Sequence, residues 1–251
     1  MTGEPVTSDD VLRALSEVVD PELDEPITDL GFVRSVLLDD EGVTVHLRLP
    51  TAFCSPNFAY LMVSDAQDVL EGVAGVGRAR VLLDDHHDSH KINSGLAANA
   101  GYQGTFGVEA VDSLDDLRRT FLRKAHLAAL ERCVEALLRE TALTLDSLPS
   151  LTLRDIPAGR YRSALLRRRL AIGLTLCPAG RVFVDDDGTP IAPDAIPMRL
   201  RFAKSVRISI EGNSHFCRGL LATRYADDDG TAGPRIVDVR STSSVPVRRV
   251  S

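Results

Sequence analysis

The sequence predicts an α+β protein in two domains: a small helix–strand–strand–helix–strand unit over residues 1–111, then residues 112–251 with a long helix and a mixed, strand-rich remainder. Three observations predict it. From Ser8 to Leu83 the apolar spacing alternates between the helical and the strand period. From Ser113 to about Thr141 apolar residues recur at helical spacing without a break. At 251 residues and 44% hydrophobic content the chain has the length and composition for two folded domains.

The elements follow in order. Ser8 is the expected cap of a first helix reaching about Val19, with Val11, Leu12, Leu15, Val18 and Val19 on one face. Asp20-Pro21-Glu22 stops it, because proline disfavours helix at the residue before it. Strand one is Phe32–Leu38 and the turn is Asp39-Asp40-Glu41-Gly42. Strand two is Val43–Leu49, in which Val43, Val45, Leu47 and Leu49 alternate with Thr44, His46 and Arg48. A helix over Phe58–Leu70, capped by Asn57, leads to strand three at Arg78–Leu83 and a short helix over Asn93–Asn99. After the domain boundary near Val111 comes the Ser113-capped helix. Leu165–Leu176 reads equally as helix or strand. Val182–Ile191 reads as a hairpin, and Val206–Ile210, Phe216–Tyr225 and Ile236–Val239 read as strands. The tail from Ser241 is polar and expected to fray.

Pairing rules gather the chemistry-bearing residues. A hairpin sets the start of strand one beside the end of strand two, and a strand–helix–strand crossover makes strands two and three parallel. Asp29, Cys54 and His86–His90 should therefore share one rim. There a thiolate, imidazoles and carboxylates would lie within reach of a metal.

Composition narrows the function classes. Residues 1–110 carry 19 acids against 6 Lys and Arg, net −13, and residues 111–251 carry net +6. The halves can attract each other or face different partners. Aromatic residues are sparse among the arginines, which argues against nucleic-acid binding. No apolar run has membrane-spanning length and the N-terminus lacks a basic-plus-apolar signal, so the expected setting is the cytoplasm, with no membrane. Arginine greatly outnumbers lysine, present only as Lys91, Lys124 and Lys204; a GC-rich bacterial genome accounts for it. Four scattered cysteines without a CxxC pair point to reduced thiols rather than a zinc ribbon or a disulfide framework. No HExxH, GxSxG, P-loop or dinucleotide glycine motif is present, and the reading leans away from an enzyme.

Each singled-out group has a plain alternative. Cys54 precedes a helix N-terminus, which favours the thiolate, against a half-buried structural cysteine. His86, His87 and His90 suit iron or zinc, against a solvated turn. His215 and Cys217, as an i, i+2 pair on a strand, form a weaker second soft site with Cys177, to which His126 or Cys133 of the long helix could add, against ordinary core residues. Asp185–Asp187 and Asp227–Asp229 lack calcium-loop spacing and read as turns.

Asp20-Pro21-Glu22, Asp29-Leu30-Gly31-Phe32-Val33, a strand running into Thr51 with Cys54 beyond, and Gly72-Val73-Ala74-Gly75-Val76 before a closing strand together resemble the PaaD/SufT-type iron–sulfur (metal–sulfur) cluster assembly family over about residues 8–90. The resemblance implies a small α+β domain that matures metalloproteins, with a reactive or cluster-linked thiol at Cys54, acidic motif residues at Asp20, Glu22 and Asp29, and a motif threonine at Thr51. Ser55 after the cysteine, and a threonine–cysteine spacing one residue short, depart from the family pattern. Residues 111–251 lie beyond it and suggest an enlarged branch that accompanies di-iron monooxygenases.

The expected function is therefore a chaperone-like maturation factor. Cys54, with Thr51, Asp29, Glu22 and the histidines, would hold iron or an iron–sulfur cluster transiently, and residues 112–251 would recognise an apo-metalloprotein client; a homodimer is among the expected states. One rival is a stable metal-binding, hydrolase-like enzyme using His86, His87 and His90, with zinc as its metal. Another is a metal-free scaffold.

Overall fold

The structure, a computed structural model, describes residues 6–110, 113–226 and 233–240. Val111, Asp227–Asp229 and the tail from Ser241 lie outside them. Two compact units emerge: the first falls within residues 1–20, 25–110 and 217–251, the second within 21–24 and 111–216.

In the first unit, helix α1 (Ser8–Leu15) opens on a capping box. Thr7 N–H donates to Asp10 Oδ2 at 3.0 Å and Asp10 N–H donates to Thr7 Oγ1 at 3.2 Å. The cap is thus Thr7 rather than Ser8. The helix stops at Leu15 rather than near Val19, because Val19–Asp20 (β1) pairs antiparallel with Glu25–Pro26 (β2). Strands β3 (Val33–Leu38) and β4 (Gly42–Leu47) form the antiparallel hairpin, with an irregularity at Arg34: Val33 faces Leu47 while Ser35 already faces His46. Helix α2 (Pro56–Glu71) crosses to β5 (Arg78–Leu83), which runs parallel to β4 as the crossover rule requires. Proline, with its fixed φ and missing N–H, suits the first helical position, so Ser55 rather than Asn57 is the N-cap. Asn57 Oδ1 instead accepts from the Tyr102 hydroxyl at 2.6 Å.

Helices α3 (Ser89–Ala97) and α4 (Gly101–Phe106) follow, α3 beginning four residues before the expected Asn93. The far edge of the sheet is filled by β6 (Arg235–Asp238), parallel to β3, giving the order β5-β4-β3-β6. Val36, Leu38, Val43, Val45, Leu47, Val81 and Leu83 are buried at alternate positions, and α1 and α2 bury Val11, Leu15, Ala59, Val63, Ala66 and Leu70.

The second unit is helical. Helix α5 (Leu114–Glu140) starts on Ser113, whose Oγ accepts from Asp116 N–H, and ends at Thr141. Leu165–Leu176, undecided by periodicity, is helical through α6 (Arg160–Ala171). Val182–Ile191 turns back on itself, with Asp185 N–H donating to Thr189 O at 2.9 Å and Ile191 N–H to Phe183 O at 3.1 Å. Leu130, Val134 and Leu137 of α5, Leu165 of α6, and Val182, Phe183 and Ile196 share one core.

The strands expected at Val206–Ile210 and Phe216–Tyr225 are instead parts of helix α7 (Ile196–Arg224). Local β-branched content suggested strand. The buried positions Ile196, Ala203, Ile210, Ser214 and Leu221 follow helical spacing over the whole segment, and that longer period prevails. The remaining expected strand, at Ile236–Val239, is β6 of the first unit. The α+β class stands, but the strands among the described residues lie in the first unit, as the four-stranded sheet and the β1–β2 pair. Chain order also departs from the expected division: residues from Cys217 join the first unit, and Pro21–Asp24 joins the second, where Asp24 takes Arg168 Nε at 2.8 Å.

Candidate functional site

Register places the rim. Val33 faces Leu47 and Leu47 faces Leu83, so the start of β3 and the ends of β4 and β5 lie in one row. The turn after β4 carries Thr51 and Cys54. Thr51 Oγ1 accepts from Phe53 N–H at 3.1 Å and lies 3.6 Å from Cys54 Sγ. The loop after β5 is fastened to this turn twice. His87 N–H donates to Ala52 O at 2.8 Å, and His86 Nε2 donates to Cys54 O at 2.8 Å. His86 Nδ1 accepts from Asp88 N–H at 3.1 Å, which fixes the Nε2–H tautomer and occupies both ring nitrogens. His86 is therefore a pin between the two loops. Cys54 is half-buried, two residues before the first turn of α2. Beside it Phe53 is 80% exposed, its ring 5.9 Å from that of His87.

A charged cluster borders these loops. The irregularity in β3 re-aims Arg34, whose Nη1 donates to Asp84 Oδ2 at 3.2 Å and Asp85 Oδ2 at 3.1 Å. His46 Nδ1 lies 2.9 Å from Asp84 Oδ1. Asp85 has a φ of 53°, in the left-handed region. From the end of α7, Arg224 Nη1 donates to Leu49 O at 3.0 Å and its Nη2 to Asp85 O. The guanidinium carbons of Arg48, Arg224 and Arg34 lie 4.9, 5.2 and 5.6 Å from the Tyr225 ring centre. Sequence reasoning missed Arg34, Arg224 and Tyr225. Strand pairing irregularities leave little trace in sequence. The helical spacing that ends at Leu221 was the available signal for the other two.

The remaining predicted residues are placed as follows. Asp29 is exposed and accepts from Thr28 Oγ1 at 3.4 Å. Glu22 falls in the second unit and accepts from Asn213 Nδ2 at 3.1 Å. His90 is exposed on α3. Among the described residues no group of three or more His, Cys, Asp or Glu side chains is placed to hold a metal ion, so Cys54 and the three histidines do not form a joint ligand set.

The second soft site is not assembled either. His215 and Cys217 lie on a helix, where two residues apart means roughly 200° around the axis rather than one face. Cys177 is exposed in a turn, its N–H donating to Thr175 Oγ1 at 3.1 Å. On α5, burial and then the charges of Arg169, Arg199 and Arg168 push His126 down to about 4, and burial pushes the Cys133 thiol up to about 11.

Comparison with known proteins meets this geometry in the first unit. The family described as "Iron-sulfur cluster assembly protein" matches residues 8–82. An uncharacterized protein of Methanocaldococcus jannaschii is 35% identical over 92 residues, covering 36% of this chain and 95% of that protein. No solved structure matches the chain. No helix among the described residues is long and apolar enough to cross a membrane.

Proposed function

Because the chain belongs, through residues 8–82, to the iron–sulfur cluster assembly protein family, we propose that it is an assembly factor that takes up iron or an iron–sulfur unit at Cys54 and passes it to a client protein. The observation that carries this reading is the Cys54 turn itself. It is cross-linked to the β5 loop by His86 and His87, yet leaves the thiol half-exposed before a helix N-terminus. Iron–sulfur units are held by several thiolates. One thiol offers a single bond to the cargo and leaves the other positions to a client's ligands, which suits transfer. Thr51 Oγ1, in contact with the sulfur, can donate a hydrogen bond to the thiolate. Phe53 supplies an exposed aromatic contact for the client beside the thiol.

The residues beyond the family domain would select the client, with a di-iron monooxygenase component the first to test. Cys54→Ser is close to isosteric but a poor ligand for soft metals. Scored in the host at equal factor abundance, it should abolish client activity and lower client iron while the circular dichroism spectrum of the factor stays unchanged. A fully active, fully metallated client would show that the thiol is dispensable.

A further inference from the structure

We propose that Arg224 is a positioning residue for Cys54, so that the site of the family domain is completed by a segment from the far end of the chain. The family match ends at residue 82, and Arg224 lies well beyond it. One guanidinium reaches both loops that frame the thiol. It donates to Leu49 O, just before the Thr51–Cys54 turn, and to Asp85 O, just before His86. His86 in turn holds Cys54 O, so the three pieces of chain are fastened in a closed loop of hydrogen bonds.

Several features support a fixed attachment. Asp85 is held in a left-handed conformation, which a non-glycine residue adopts at a cost and which its contacts must maintain. Its carboxylate takes Arg34, and its carbonyl takes Arg224. Tyr225 packs its ring against Arg34, Arg48 and Arg224 and points its hydroxyl at Asp85 Oδ2, 3.4 Å away. One turn earlier on α7, Leu221 lies so close to Gly31 that a β-carbon there would sit 3.3 Å from Leu221 Cδ2. Gly31 has a φ of 75°, so glycine is favoured there by conformation and by space alike. The Gly31 side of the rim and the two loops thus share one support.

The functional meaning of this arrangement rests on Cys54 being the working thiol; its test does not. Full-length protein is alkylated with iodoacetamide under native conditions, and the rate at Cys54 is followed by mass spectrometry in wild type, Arg224→Ala, Arg224→Lys and Arg218→Ala. Amide hydrogen exchange over residues 49–54 and 84–88 is measured in parallel. Loss of two charge-assisted bonds should speed alkylation at Cys54 by about threefold or more, with faster exchange in both segments. Arg224→Lys, which keeps the charge but replaces the planar fork by a single nitrogen, should restore part of the hold and give a rate between those of Arg224→Ala and wild type. Arg218→Ala, which removes an exposed pair with Glu25 and leaves both carbonyl contacts of Arg224 in place, should behave as wild type. An unchanged rate in Arg224→Ala, equal acceleration in Arg218→Ala, or no rescue by Arg224→Lys overturns the proposal. Should Arg224→Ala fail to fold, Arg224→Gln, which keeps the stem and one amide donor, carries the same comparison. A fully metallated client with Cys54→Ser would defeat the assembly reading while leaving the alkylation result standing.

Discussion

The loops around Cys54 and the helical core of the second unit each bury a histidine, and the two surroundings differ in kind. His86 is 6% exposed and has a backbone partner on each ring nitrogen. His126 is 2% exposed, its Nε2 has no hydrogen-bond partner, and it sits in the field of Arg168, Arg169 and Arg199. In the first unit a buried polar ring orders two loops. In the second, buried polar groups lie beside an apolar core and their satisfaction is incomplete. Arg169, fully buried, donates from Nε to Thr175 O at 3.1 Å and from Nη1 to Val182 O at 3.3 Å, while Nη2 has no partner. The contrast implies that substitutions at the rim act on Cys54 and substitutions in the helical core act on stability.

The strongest way to break that contrast is Arg169. Arg169→Ala strands the carbonyls of Thr175 and Val182 and leaves a cavity between α6 and the Val182–Ile191 turn. It should cost about 3–4 kcal/mol in urea unfolding. Arg169→Met keeps much of the volume and removes a buried charge, and should cost about half as much. Equal losses in the two variants would assign the whole effect to the two hydrogen bonds.

Next comes pH. His126 is lowered from 6.5 to about 4 in the folded state, by burial first and then by the arginines on α6 and α7. The unfolded chain therefore binds this proton more readily. The stabilisation from a neutral His126 is fully present above pH 6.5 and is lost as pH falls from there toward 4. The loss is about 3 kcal/mol by linkage. His126→Phe should flatten the dependence of unfolding free energy on pH over that window. A variant that keeps the wild-type slope would show that another group is responsible.

Much of the first unit was readable from the sequence, because alternation, turn residues and the crossover rule each act over a few residues. Arg78–Leu83 matches β5 residue for residue. The parallel pairing of β4 with β5 sets their following loops side by side, and His86 Nε2 reaches Cys54 O. What could not be read was partnership: that both nitrogens of His86 are taken by backbone depends on two loops meeting at a distance of a few ångströms. Two stretches of α7, Val206–Ile210 and Phe216–Tyr225, read as strand because side chains such as Val206, Ile208, Ile210 and Phe216 favour strands locally, whereas their fate is set by a helical period spread over 29 residues. Arg224 and Tyr225 were hidden by the same error.

A third test sharpens the rim side of the contrast. His86→Ala leaves Cys54 O and Asp88 N–H without their partner and should cost about 2 kcal/mol, less than Arg169→Ala. It should also speed alkylation of Cys54, which no substitution at His126 or Arg169 should do while the protein remains folded. Acceleration of Cys54 by Arg169→Met in folded protein would erase the distinction between the two regions.

The smallest effect is expected at the cysteines themselves, and it separates the regions most directly. Cys133 is 1% exposed on the packed face of α5, and burial raises its thiol to about 11, so at pH 8 only about one molecule in a thousand carries the thiolate that alkylation requires. Cys54 is half-exposed in a turn. Native alkylation should therefore modify Cys54 well before Cys133, and Cys133 should react at a rate that tracks opening of the second unit rather than its own chemistry. Serine substitution should order the two sites the other way. Cys133→Ser puts a hydroxyl among Leu130, Val134 and Leu137 and should cost about 1–2 kcal/mol. Cys54→Ser, with water and Thr51 Oγ1 within reach, should change stability by less than about 0.5 kcal/mol. Urea titrations of the two serine variants check both values. A Cys54→Ser loss as large as that of Cys133→Ser would mean that the thiol is a packing element of the rim.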